Sequence, residues 1–162
     1  MERAKLEFKD FFTLVGTAIG VFSLLSAAVG NVFLAALAIL VAGVIDFFDG
    51  RIARATRPTE FGKHLDSLSD VISFGAAPAL LAFVSTEGSV TTAVAAVLFV
   101  ACGVVRIAWF NLQKEKGVYY GLPLPAAGII IVLAITLGKL ATPIALLATA
   151  VLMVSKIRFK KL

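Results

Sequence analysis

Residues 46–70 read DFFDGRIARATRPTEFGKHLDSLSD, and the rest of the chain takes its meaning from this stretch. It holds Asp46, Asp49, Asp66 and Asp70, four of the five aspartates, together with the only histidine, His64, and the basic residues Arg51, Arg54, Arg57 and Lys63. On either side the chain is almost uncharged: nothing from Phe11 to Ile45 and nothing from Val71 to Thr86 carries a charge. An ionised aspartate within a membrane span costs about 2.5–3.5 kcal/mol, so four cost on the order of 10 kcal/mol before mutual repulsion. Carboxylates held there need a compensating partner.

The surroundings are apolar enough to make that cost relevant. Of the 162 residues, 60% are hydrophobic, and the mean hydropathy is +1.00, against roughly 45–50% apolar residues in soluble domains. The composition predicts an all-α integral membrane protein. Breaks at Gly30-Asn31, Ala55–Lys63, Ser85–Ser89, Lys114–Gly117 and Gly138-Lys139 divide it into six transmembrane helices, at about 11–29, 32–54, 65–84, 90–112, 122–138 and 140–156. Pro123, Pro125 and Pro143 fall in first turns, where a missing N–H costs nothing. Residues 1–10 read as a juxtamembrane segment, a short amphipathic helix on the membrane surface, with no cleavable leader. A single membrane domain over 1–162 is expected.

Six spans put the N-terminus, the 2–3 and 4–5 loops and the C-terminus on one side, and all Lys and Arg except Lys139 fall on or beside it. The positive-inside rule makes that side cytoplasmic and brings the acidic stretch with it. Topology therefore accounts for the net charge of +5, and nucleic acid is not an expected partner. Cys102 is the single cysteine, which excludes an intrachain disulfide and a cysteine zinc site.

Asp46 and Asp49 are three residues apart and Asp66 and Asp70 four, so each pair shares a helix face. Adjacent antiparallel helices 2 and 3 bring the four carboxylates together. Two compensations are open: hard divalent cations such as Mg²⁺, Mn²⁺ or Ca²⁺, or an ion network with Arg51, Arg54, Arg57 and Lys63. The small residues Gly50, Ala53 and Gly62 favour the first, because they leave room for a ligand against the backbone. His64 reads as a solvated loop-end residue. Small residues at Gly16/Gly20 and Gly75-Ala76-Ala77 suit close helix packing in lipid.

The pattern Asp46-x2-Asp49-Gly50-x2-Ala53-Arg54, then Gly62-x3-Asp66-x3-Asp70, resembles the signature of the CDP-alcohol phosphotransferases, membrane enzymes of phospholipid synthesis. The spacing between Arg54 and Gly62, seven residues, is shorter than is usual in that family. Ser73-Phe74-Gly75-x2-Pro78, Arg106-x-Ala108-x-Phe110-Asn111 and Gly121-Leu122-Pro123-x-Pro125 are similar to the serine-accepting members, the CDP-diacylglycerol–serine O-phosphatidyltransferases. The resemblance implies that Asp46, Asp49, Asp66 and Asp70 ligate Mg²⁺ or Mn²⁺, two ions in all, and that Asp70 is also the catalytic base. It implies nucleotide contacts at Gly50, Ala53, Arg54 and Gly62. Thr13 matches a threonine of related proteins, while Asp10 stands where they carry asparagine.

The implied partners are a CDP-linked lipid, L-serine, membrane lipids and a second copy of the chain. Arg106 is the one arginine expected inside a span away from the acidic stretch, and its fork of donors suits the carboxylate of serine. Ser73 and Asn111 are weaker candidates for the same pocket. Glycerol phosphate or inositol phosphate as acceptor would call for more basic residues than Arg106, Lys114 and Lys116. A divalent-cation transporter would carry acids near the bilayer midplane on several helices, and here they gather on two helices near one surface.

Overall fold

The computed structural model describes residues 8–55, 59–112, 118–155 and 158–160. Helices α1 (Phe8–Ala28) and α2 (Val32–Ala55) form an antiparallel pair. Their joint is where the sequence places it: Gly30 takes φ +79°, and Asn31 caps α2 by accepting the Leu34 N–H at 3.1 Å. The next helix is continuous but not uniform. It runs as α3 (Glu60–Asp70), a π-helical segment (Val71–Ala76) and α4 (Ala77–Ser85). Then come α5 (Val90–Leu112), a short strand β1 (Val118–Tyr120), α6 (Leu124–Thr136), α7 (Ala141–Val154) and β2 (Arg158–Lys160).

Helix α1 packs against α2, α3, the π-helical segment and α4, while α5 packs against α7 and α6 bridges to α4 and α7. The buried face of α1 is built from small and polar residues: Asp10, Thr13, Gly16, Gly20, Ser23 and Ala27 follow one another at helical spacing. Several of its large side chains point outward, with Phe11 60%, Phe22 49% and Leu25 63% exposed. Helix α5 repeats the arrangement, burying Ala95, Phe99, Gly103 and Arg106 and exposing Val94, Val97 and Val104. Apolar surface left outward at this density fits a lipid environment. Small inward residues let the backbones approach, as they do between helices in lipid.

Among the described residues, three helices are long and apolar enough to cross a membrane: Asp10–Ala28, Glu60–Ser85 and Val90–Leu112. The apolar part of α2, Val32–Phe48, and helices α6 and α7 are shorter; at 1.5 Å per residue α6 and α7 each extend only about 20 Å, against a hydrocarbon core of about 30 Å. The expected 122–138 and 140–156 contract because Pro123 and Ser155 are extended and Gly138 takes φ +109°.

Other expectations are corrected. Ala55–Lys63 is not all loop: α3 begins at Glu60, with Thr59 as its cap accepting the Gly62 N–H at 3.1 Å. Helix 1 starts by Phe8, and residues 1–7 of the expected interfacial helix lie outside the described residues. The fold is all-helical as expected, apart from one short ladder in which β1 and β2 pair antiparallel with Val118 opposite Lys160 and Tyr120 opposite Arg158. That ladder follows from the way α6 is entered. Gly121 has φ +72°, a Cβ there would run into the Met153 carbonyl, and the Leu122 N–H donates to Leu152 O at 3.1 Å. The chain before α6 is thereby laid beside the chain leaving α7.

Candidate metal and phosphoryl-transfer site

Helix α2 carries Asp46 and α3 carries Asp66 and Asp70. One carboxylate oxygen from each of the three lies within 4.8 Å of the others. Two oxygens on opposite sides of an ion at about 2.1–2.4 Å stand about 4.2–4.8 Å apart, so a single hard cation fits within reach of all three. The donor set is oxygen alone, as Mg²⁺ and Mn²⁺ prefer. Asp46 and Asp70 are half-buried and Asp66 is exposed, so the cluster opens outward past Asp66. Asp49, Gly50, Ala53 and Arg54 continue α2, and their side chains lie outside the described residues.

The first turn of α3 explains how this geometry arises. Thr59 caps the new helix, which starts early enough to put Asp66 and Asp70 on its second and third turns. Gly62 is therefore a first-turn residue whose N–H is already taken by Thr59. His64 is exposed on the same helix.

Arg106 comes from α5 and is 8% exposed. Its Nε has no hydrogen-bond partner among the described residues, and its guanidinium carbon lies 5.4 Å from the centre of the Phe110 ring. Asp70 stands in the field of Asp46 and Asp66, which share its sign, and of Arg106, which opposes it. A buried donor with capacity to spare, in the field of Asp70, suits an anionic group of a ligand.

Ser73 is buried on the π-helical segment and donates to Gly16 O of α1 at 3.3 Å. Asn111, at the end of α5, donates from Nδ2 to Ser67 Oγ of α3 at 3.0 Å. Thr13 is buried on α1 and lines a narrow cleft with Asp46, Asp66, Ser69 and Ser73. Sequence reasoning passed over Ser67, Ser69 and Thr17. The signal available was the alternation of acid and hydroxyl in Asp66-Ser67-Leu68-Ser69-Asp70, and the Thr13/Thr17 pair one turn apart on α1.

Residues 9–157 match the model of the CDP-alcohol phosphatidyltransferase family, and the chain belongs to that family. It is 36% identical over 139 residues to the CDP-diacylglycerol–serine O-phosphatidyltransferase of Helicobacter pylori, covering 82% of this chain and 58% of that protein. It is 33% identical over 160 residues to the archaetidylserine synthase of Methanothermobacter thermautotrophicus, covering 94% and 69%. Over 162 residues it is 32% identical to the CDP-diacylglycerol–serine O-phosphatidyltransferase of Methanocaldococcus jannaschii, covering 98% and 76%. The chain thus spans less than two thirds of the Helicobacter protein and more of the two archaeal ones.

Proposed function

We propose that the chain transfers a phosphatidyl or archaetidyl group from a CDP-activated lipid to L-serine and releases CMP. The observation that carries this reading is the convergence of Asp46, Asp66 and Asp70 from two helices, with Arg106 beside them. The family and the serine-accepting relatives support the choice of donor and acceptor.

In this reading the serine hydroxyl oxygen attacks the phosphorus that bears the lipid. A new P–O bond forms, the P–O bond to CMP breaks, and the hydroxyl proton passes to the Asp70 carboxylate. Asp46, Asp49, Asp66 and Asp70 hold Mg²⁺ or Mn²⁺, as two ions. Bound there, such cations neutralise charge on the pyrophosphate and on the departing CMP. Asp70 is a weak base for an alcohol in isolation, with a reference pKa of about 3.9, so its contribution depends on close placement. Arg106 takes the serine carboxylate through its fork of donors. Ser73 and Asn111, each tied to a neighbouring helix, wall the same pocket. Gly50, Ala53 and Gly62 make room for the nucleotide, with Arg54 near its phosphates and Thr13 at the inner end of the cleft.

The assembly we propose is a single membrane domain of six spans, with α6 and α7 completed by flanking apolar residues. The acids face the cytoplasm on the side carrying nearly all the basic residues. There a water-soluble amino acid and a lipid headgroup can meet, and the chain pairs with a second copy of itself.

The test supplies purified chain with CDP-diacylglycerol, Mn²⁺ and labelled serine. Labelled lipid and equimolar CMP are expected, with Asp70→Asn slower by about 10²–10⁴-fold. Turnover with glycerol phosphate but none with serine overturns the acceptor, and full activity in Asp70→Asn overturns the base.

A further inference from the structure

We infer that Thr17 and Ser69 are positioning residues that hold Asp66 and Asp70 at cation-binding distance from Asp46, an inference that rests on the metal site proposed above. Ser69 lies between the two acids on α3 and is buried. Thr17 Oγ1 lies 2.8 Å from Ser69 Oγ and 2.8 Å from the Thr13 carbonyl oxygen, and Ser69 Oγ reaches the same carbonyl at 3.4 Å. Each hydroxyl has one proton, so two of these three contacts are donated at a time. Every such arrangement ties α3 to α1.

The reason such a tie matters is electrostatic. Asp46 stands on α2 and the other two acids on α3, and the mutual repulsion of like charges within 4.8 Å works against the approach of those helices. Helix α1 packs on both α2 and α3, which makes it the common abutment. The uncharged Thr17–Ser69 contact holds α3 against it without adding charge to the site. Thr13 and Ser69 line the same cleft as Asp46 and Asp66, so the tie acts at the level of the carboxylates. Groups that orient metal ligands in this way typically change affinity about 10–100-fold when removed.

The test is Mn²⁺ binding by the full chain in detergent without lipid donor or serine, read from the loss of the free-Mn²⁺ electron paramagnetic resonance signal. Thr17→Val keeps the shape and removes the hydroxyl; Thr17→Ser keeps the hydroxyl. Ser23→Ala is the control. It deletes a buried hydroxyl bond of similar length, Ser23 Oγ to Ala35 O at 2.8 Å, that joins α1 to α2 away from the acids. Thr17→Val and Ser69→Ala are expected to weaken Mn²⁺ binding about tenfold or more, with Thr17→Ser within about threefold of the parent and Ser23→Ala unchanged. Should Thr17→Val lose its thermal transition, Ser69→Ala carries the comparison. Parent-like Mn²⁺ affinity in the variants that remain folded overturns the inference, as does an equal loss in Ser23→Ala. A parent chain that binds Mn²⁺ but transfers nothing to serine sinks the proposed acceptor and leaves the positioning role standing; one that binds no Mn²⁺ removes both.

Discussion

Two glycines of α1 look alike in the sequence and should respond oppositely to alanine. A Cβ on Gly20 would lie 2.8 Å from both Cα and Cβ of Ser73, whereas a Cβ on Gly16 would meet nothing closer than Ile45 Cγ2 at 3.8 Å. Ordinary contact begins near 3.4 Å, so in Gly20→Ala α1 and the π-helical segment must part by roughly 0.6 Å. The Ser73 hydroxyl can rotate away, but its Cα cannot. Overpacking of this kind costs about 1–3 kcal/mol. Alanine returns about 1 kcal/mol of helix propensity at either position, and that gain cancels when the two variants are compared. Gly20→Ala should therefore be less stable than Gly16→Ala by about 1–3 kcal/mol. At about 2–4 °C per kcal/mol for a chain of this size, the gap is several degrees in a thermal melt in detergent followed by circular dichroism. Gly16→Ala should melt at or above the parent temperature. Because Ser73 follows Asp70 by three residues, serine transfer should also fall in Gly20→Ala and persist in Gly16→Ala. Equal melting temperatures for the two variants would refute the close approach of α1 to the π-helical segment.

Three further outcomes are expected. Arg106→Lys keeps the charge but loses the fork, so the KM for serine should rise about tenfold or more while kcat changes less; an unchanged serine KM in steady-state assays would remove Arg106 from the acceptor pocket. Thr59→Ala deletes the cap that takes the Gly62 N–H and should cost about 1 kcal/mol; a melting temperature equal to the parent's would show that the cap does not set the start of α3. The Lys139 ammonium, 2.7 Å from Glu87, holds that carboxyl below its usual range. Any stability from the pair is thus present above the ordinary carboxylate pKa and lost as pH falls through the lowered one. Both side chains are well exposed, so Glu87→Gln should leave activity and melting temperature near those of the parent; a large loss in either would mean that the 87–139 corner carries more than a surface pair.

The sequence carried the acids further than it carried the helix that presents them. Charge in an apolar chain is costly, so Asp46, Asp66 and Asp70 were conspicuous without coordinates, and the i, i+4 spacing of the last two already assigned them to one face. Helix limits at Val32–Ala55 and Val90–Leu112 were legible for a related reason: long apolar runs ended by Gly, Asn, Ser and charge leave few alternatives. The start of α3 was not, because Pro58 and Gly62 read as loop residues, and the cap from Thr59 to Gly62 is a hydrogen bond between groups that composition does not pair.

What the sequence determined by itself is thus whatever a local energetic cost enforces: where apolar spans stop, that the carboxylates need a cation or a counter-charge, and which face of a helix two acids share. Tertiary structure alone decided the rest. It separated Gly20 from Gly16, turned Ser69 and Thr17 from bystanders into a tie between helices, and buried Arg106 with a donor to spare beside Asp70. Each of these depends on the distance between segments far apart in the chain. Such a distance is set by the packing of small inward faces, and no local pattern encodes it.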